Sequence, residues 1–487
     1  MSPRSEPSRR TFLAATAAAA PLLAGCDRIL SFAAGLLGDD LPSSFDAPTT
    51  EALDPLHHLL SRTSFGPRPG DLDEARKIGP RAHLDRQLEP SSIRDDACDL
   101  RTSVIDSAHL PRSLAFELPP EQIELELSRF ALLKATYSKR QLFEVLVEAW
   151  SDHFHVAIGK AECRHLLPTD LREVVREHAL GSFSELLRAS ALSPSMLVYL
   201  DGRDNRAQAG ARPNENYARE LFELHTLGVD GGYTQKDVME AARCLTGFVV
   251  KDKWAPGEVE LVAERHDSGE KVVLGQVIGA GRGREDVDAL LDIVARHPST
   301  ARHVSRRLCR TFVADDPAED AVESAAATFS ATGGDLRKVV RSILESETFA
   351  ASAGAKIKRP FRFVVSALRA LGADTHLKGG TVASLGHMGH APYAWPTPDG
   401  YPQRGDAWLG SLLGRFRFAF DLARGGGDAR VELSRLEAAV SGADKQERLV
   451  AHLLGRAPDA RERATLLERP LEDALALTLA SPSFQRF

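Results

Sequence analysis

A chain of 487 residues, 43% hydrophobic and 26% charged, has an ordinary globular composition and can bury a large core. Its formal net charge of −7 lacks the strong basic excess of a nucleic-acid binder, and no nucleic-acid partner is expected. No apolar run reaches the ~20 residues of a spanning helix.

The first element in chain order is a targeting segment. Ser8-Arg9-Arg10-Thr11-Phe12-Leu13 precedes an Ala-rich stretch that ends at Leu23-Ala24-Gly25-Cys26. Paired arginines before a short, weakly apolar run form a twin-arginine signal. Small residues followed by cysteine resemble a bacterial lipobox. That resemblance implies a signal peptide over 1–25, a diacylated Cys26 as the mature N-terminus, and attachment to the periplasmic face of a membrane. The alternative is an ordinary signal peptide with a chance cysteine. The twin-arginine route carries folded cargo, a requirement shared by many proteins that take up a cofactor in the cytoplasm.

Residues 26–51 read as a lipidated tether. Ile29, Leu30, Phe32, Leu36 and Leu37 can rest on a bilayer, and a polar, Pro-containing spacer follows. Residues 52–487 predict a mainly α fold: a large multi-helix domain with a C-terminal helical subregion over 431–487. Helical periodicity runs through 121–153, 169–192, 214–227, 235–247, 287–312, 335–346 and 358–371. A small β-hairpin excursion is predicted near 248–275, where Phe248-Val249-Val250, Val259-Glu260-Leu261-Val262 and Val272-Val273-Leu274 alternate with Pro256, Gly257 and Gly269. Residues 379–408 read as loop. Besides Cys26 there are Cys98, Cys163, Cys244 and Cys309, with no C-x-x-C pair. Cys244 and Cys309 sit in apolar helical patterns and predict buried free thiols.

Chemistry has several candidate seats. Trp150-Ser151-Asp152-His153-Phe154-His155 ends a helix whose face carries Glu144, Glu148 and Asp152 at i, i+4 spacing. Carboxylates beside imidazoles can bind a metal or transfer protons; the alternative is a helix end whose histidines complement the dipole. On the helix over 214–227, Asn216, Arg219, Glu220 and Glu223 line one face. They read either as a site or as an Arg219–carboxylate network that fixes the fold. Glu162-Cys163-Arg164-His165 has the spacing of one half of a di-iron site only. His266-Asp267-Ser268-Gly269-Glu270-Lys271 reads as a turn in the β excursion. There is no P-loop, dinucleotide fingerprint or nucleophile elbow.

Taken in order, Arg62-Thr63-Ser64-Phe65-Gly66-Pro67, Trp150-Ser151-Asp152-His153-Phe154, Asn214-Glu215-Asn216-Tyr217-Ala218-Arg219-Glu220, Leu245-Thr246-Gly247, His266-Asp267 and Pro396-Thr397-Pro398-Asp399-Gly400-Tyr401-Pro402 resemble the bacterial domain-of-unknown-function family numbered 1800. The resemblance implies an exported, mainly helical protein of no established reaction, with an exported sulfatase-like protein as partner. It carries a polar signature onto His153, Asn214, Glu215, Asn216, Arg219, Glu220, His266 and Asp267. The first expectation for this chain, which the resemblance itself does not supply, is a periplasmic, membrane-anchored enzyme with a transition-metal or haem centre, most simply an oxidoreductase. His153, Glu220 and Glu223 would be metal ligands and, with Arg219, the catalytic groups; Asn216, His266 and Asp267 would support the cofactor. The alternatives are a metal-dependent hydrolase, or a non-catalytic lipoprotein that binds and assembles an exported partner.

Overall fold

A computed structural model describes residues 23–207, 212–252 and 255–487. The twin-arginine pair lies outside the described residues. The architecture is mainly α, and the described strands occur only as two-stranded antiparallel pairs. Ten helices are labelled here in chain order: α1 (Leu23–Ala34), α2 (Pro55–Thr63), α3 (Asp96–Thr102), α4 (Pro120–Tyr137), α5 (Gln141–His153), α6 (Cys163–Asp170), α7 (Asn216–Glu220), α8 (Pro298–Phe312), α9 (Pro360–Ala370) and α10 (Leu412–Ala423). No helix among the described residues is long and apolar enough to cross a membrane.

The β excursion is two hairpins. β1 (Phe248–Val250) pairs with β2 (Val259–Leu261), and β3 (Lys271–Val273) with β4 (Gln276–Ile278). β4 extends beyond the expected span because Leu274 and Gly275 take left-handed backbone at the turn (φ 50° and 75°). The expected loop over 379–408 contains one α-helix, Gly380–His387, and the start of a 3-10 helix, Gly405–Ser411. The four described cysteines, Cys98, Cys163, Cys244 and Cys309, are all buried and free.

The corner between α4 and α5 is fixed by side chains. Gln141 donates to the carbonyls of Ala135 and Ser138 (3.0 and 2.8 Å), which the end of α4 leaves unpaired, and accepts from the Phe65 N–H (3.1 Å). Asp95 takes Ser138 Oγ and the Lys139 N–H (2.8 and 2.7 Å). α5 therefore leaves the corner in one direction. Its apolar face, Leu142, Val145, Leu146, Ala149 and Trp150, is buried. Each large apolar side chain of that face stabilises the helix by ~1.5–3 kcal/mol. Trp150 Nε1 donates to the Ala179 carbonyl (2.9 Å) and holds the buried indole in register.

The segment expected to hang as a tether is strapped to the body. Phe45 is 2% exposed and bridges Val440 in parallel, donating to the Ala439 carbonyl (3.0 Å). Asp39 is buried between Arg68 and Arg101. The residues over 431–487 share one continuous hydrophobic core with the rest of the chain, from Phe45 through to Phe484.

The Arg62–Pro67 segment is architectural. Arg62 is fully buried and donates to the Ser352 carbonyl (2.8 Å). From α9, Arg362 donates to the carbonyls of Ser61 and Ser64 (2.7 and 2.9 Å), and Arg369 to Gly66 (2.6 Å). These buried guanidiniums satisfy the carbonyls at the end of α2 and lock α2 to α9.

Candidate functional site

A cavity of about 310 Å³ opens between α4, α5, the end of α6 and the loop after Gly380–His387. Phe65, Leu127, Phe130, Phe361 and Leu171 give it an apolar lining. The polar stripe of α5, Glu144, Glu148 and Asp152, runs along one wall, and His155 stands at its end. This combination of apolar space with a few convergent polar groups is the usual form of a small-molecule site.

Each carboxylate of the stripe is held. Arg176 forms a two-pronged pair with Glu144 (2.7 and 2.8 Å). Arg359, just before α9, bridges Glu148 and Asp152, reaching Asp152 at 2.6 Å. Buried carboxylates at helical spacing repel one another, and the guanidiniums are what make the stripe tenable. Compensation at Glu148 is incomplete. Burial pushes its carboxyl above the ordinary value, Arg359 opposes this, and the Asp152 charge adds to it. His155 moves the other way. Burial lowers it, and its Nε2 donates to the Trp395 carbonyl (2.8 Å), which leaves Nδ1 with a lone pair. Both shifts favour the uncharged form, so around one cavity stand a carboxyl biased toward carrying a proton and an imidazole biased toward accepting one.

The loop over 388–402 closes the other wall. His390 accepts the Phe361 N–H on Nδ1 (3.2 Å) and stacks on Trp408 (4.8 Å between centroids). Tyr401 lies 4.2 Å from His390 and donates to the Ala391 carbonyl. Gly400 makes this closure feasible: its φ is 70°, and a Cβ there would stand 2.2 Å from the Asp152 carbonyl oxygen. Tyr393 lines the cavity in left-handed backbone (φ 61°), a strain of ~1–3 kcal/mol for such a residue.

The residues singled out from sequence are placed differently. His153 is 2% exposed, and its Nε2 donates to the His225 carbonyl (3.0 Å). Its ring packs on Trp150 and Phe154, and Nδ1 is buried without a partner. Burial holds its pKa well below the ordinary value. His225 and His303 have their ring centroids 6.1 and 6.0 Å from that of His153. Glu220 and Glu223 lie instead on the half-exposed face of α7 and its π-helical continuation, beside Arg219, which pairs with Glu215 (3.3 Å) and Glu223 (3.5 Å). His153, Glu220 and Glu223 do not line the cavity, and among the described residues no group of three or more His, Cys, Asp or Glu is arranged to hold a metal ion. The expected ligand set is not assembled, because the end of α5 turns His153 inward while the π turn keeps the acidic stripe outward.

Asn216 donates to the Leu200 carbonyl (3.1 Å) and ties the start of α7 to the preceding turn. His266 bridges the Thr246 carbonyl (2.9 Å) and Asp286 (3.0 Å), with Lys271 also on Asp286. Asp267 pairs with Arg243 (2.8 and 3.0 Å), which holds its carboxyl down at about 2. Both belong to a clamp that fastens the second hairpin. The residues to which the sequence reading gave no role are the cavity-lining His390, Tyr393 and Tyr401, and Arg359, which pairs with the stripe without lining the cavity. The only sequence signal for them was an aromatic-rich loop, and nothing marked Arg359 as the partner of an acidic stripe some two hundred positions away.

The molecule is thus an α-helical protein with a polar-striped interior cavity. Residues 58–486 match the family described as Protein of unknown function (DUF1800), and the chain belongs to that family. No curated protein and no solved structure matches it.

Proposed function

We propose that this protein binds a small, largely apolar organic molecule in the α4–α5 cavity and acts on it by proton transfer, with Glu148 as the acid and His155 as the base. One observation carries the reading: Glu148 and His155 face the same cavity with shifts of opposite sign. Of the cations that line the cavity, Lys134, Arg172 and Arg176 pair with Asp99, Glu173 and Glu144, and Arg140, whose Nε donates to the Ile93 carbonyl, favours a substrate with a carbonyl or carboxylate group. The donor set for a metal-dependent oxidoreductase or hydrolase has no comparable support. Native mass spectrometry of the full chain purified from its own membranes tests the reading. A bound small molecule is expected, lost in Ala131→Trp, which fills the cavity. Once that molecule is known, Glu148→Gln should slow its conversion by ~10²–10⁴-fold. Retention of the ligand by Ala131→Trp would place it elsewhere.

The same proposal includes export by the paired arginines and anchorage through lipid on Cys26. The exposed Ile29, Phe32 and Leu36 of α1 and the turn that follows it support this. The mass of the mature N-terminal peptide reads it directly.

A second reading, a lipoprotein that docks an exported sulfatase-like partner, is favoured by a separate observation. Leu409, Leu412, Leu413 and Phe416 form an exposed apolar stripe at i, i+3, i+4, i+7. Leu413→Asp should abolish co-purification of that partner; equal capture by both proteins would remove this reading.

A further inference from the structure

A second cavity, about 600 Å³, lies between α1 and the body. We propose that it receives the phosphate-bearing headgroup of an anionic phospholipid. Five guanidiniums line it, those of Arg28, Arg68, Arg101, Arg430 and Arg435. Against them stand four carboxylates, those of Asp39, Asp40, Asp374 and Glu432. The carboxylates are already engaged: Asp39 by Arg68 and Arg101, Asp374 by Arg101 (2.9 Å), Asp40 by Arg435 (2.6 Å) and Glu432 by Arg430 (2.8 Å). One positive charge is left over. Arg101, which lines the cleft, is 3% exposed, and its buried Nη1 has no acceptor, so the charge cluster beneath the cleft is not fully satisfied from within the protein.

The rim identifies the occupant as lipid. Phe32 and Leu36 line the cavity yet are 70% and 75% exposed. Ile29, one turn before Phe32, is 67% exposed. An apolar rim around an arginine-lined cleft matches an acyl region above a phosphate. A free anion would make no use of the rim. Cys26 lies within α1 itself, so the helix that roofs the cleft is the one that carries the proposed anchor. The inference rests on the membrane-surface reading above but not on acylation itself.

The test uses the full chain carrying Cys26→Ser, which removes any lipid at that position, and co-sedimentation with vesicles of phosphatidylcholine alone or mixed with phosphatidylglycerol. Tighter binding to the mixed vesicles is expected. Arg28→Gln, Arg430→Gln and Arg435→Gln together should weaken it by about tenfold or more, given ~1 kcal/mol per basic residue near an anionic surface. Removing three charges elsewhere, at Arg265, Arg296 and Arg302, should leave it unchanged. Phe32→Ser with Leu36→Ser should weaken it with every charge intact. Equal binding to both vesicle types, or equal loss in the two arginine triples, would overturn the proposal. Saturable binding of inorganic phosphate without vesicle preference would overturn it too, in favour of a free anion. Failure of acylation would appear only in the N-terminal mass and would leave these results standing.

Discussion

Arg359 is the residue on which the candidate site turns. Its side chain is 13% exposed, and the guanidinium spans Glu148 and Asp152 on successive turns of α5. Arg359→Met keeps much of the apolar stem but leaves two carboxylates facing each other in a poorly solvated wall. Removing one partner of a buried pair costs ~3–5 kcal/mol. The expected outcome is a loss of that size in urea unfolding, together with a further rise of the Glu148 carboxyl in a pH titration. An unchanged midpoint would show that the stripe is solvated. The sequence made half of this visible. Glu144, Glu148 and Asp152 could be read as one helix face from i, i+4 spacing alone. Their counter-ions could not, because Arg176 and Arg359 arrive from distant segments. His153 shows the converse: its neighbours in sequence suggested a ligand, and only the way α5 ends shows that the ring points into the core.

At the scale of elements, the cavity depends on the loop over 388–402 lying directly on the last turn of α5. Gly400→Ala introduces a Cβ that would meet the Asp152 carbonyl oxygen at 2.2 Å, in backbone with φ 70°. The loop must then lift, which withdraws Tyr401 and His390 from the wall. A loss of ~1–3 kcal/mol is expected, with loss of ligand from the cavity. Full ligand binding by Gly400→Ala would show that the loop is not part of the site. The helices and the β excursion were legible because periodicity and Gly/Pro punctuation are local signals. The second hairpin's true length, the helix Gly380–His387 and the strapping of Phe45 to Val440 were not. The hairpin's length follows from the left-handed turn at Leu274 and Gly275, the first a non-glycine position that composition does not mark, and the other two are decided by tertiary partners, the packing of α10 and the C-terminal helices.

For the whole molecule, the buried histidines set the response to acid. Burial takes His57 and His225 down to about 3, and His58 and His452 to about 4. These side chains are neutral in the folded state and bind protons mainly after unfolding. Their contribution is intact above the ordinary value of about 6.5 and is lost as pH falls toward 3–4. Each such group costs ~2 kcal/mol between pH ~6.5 and ~5. The raised carboxyls of Glu148 and Asp170 act with the opposite sign and soften the loss at the acid end. Urea midpoints should therefore fall steeply from pH ~7.5 to ~5, and a flat profile would mean that these imidazoles are already charged in the fold. The central claim is that Glu148 and His155 share a hollow that admits a small organic molecule. A crystal of the full chain soaked with bromobenzoate tests it most directly. Anomalous bromine density is predicted between α4 and α5, beside Glu148 and His155; density only outside this cavity, with its apolar lining unchanged, would contradict it.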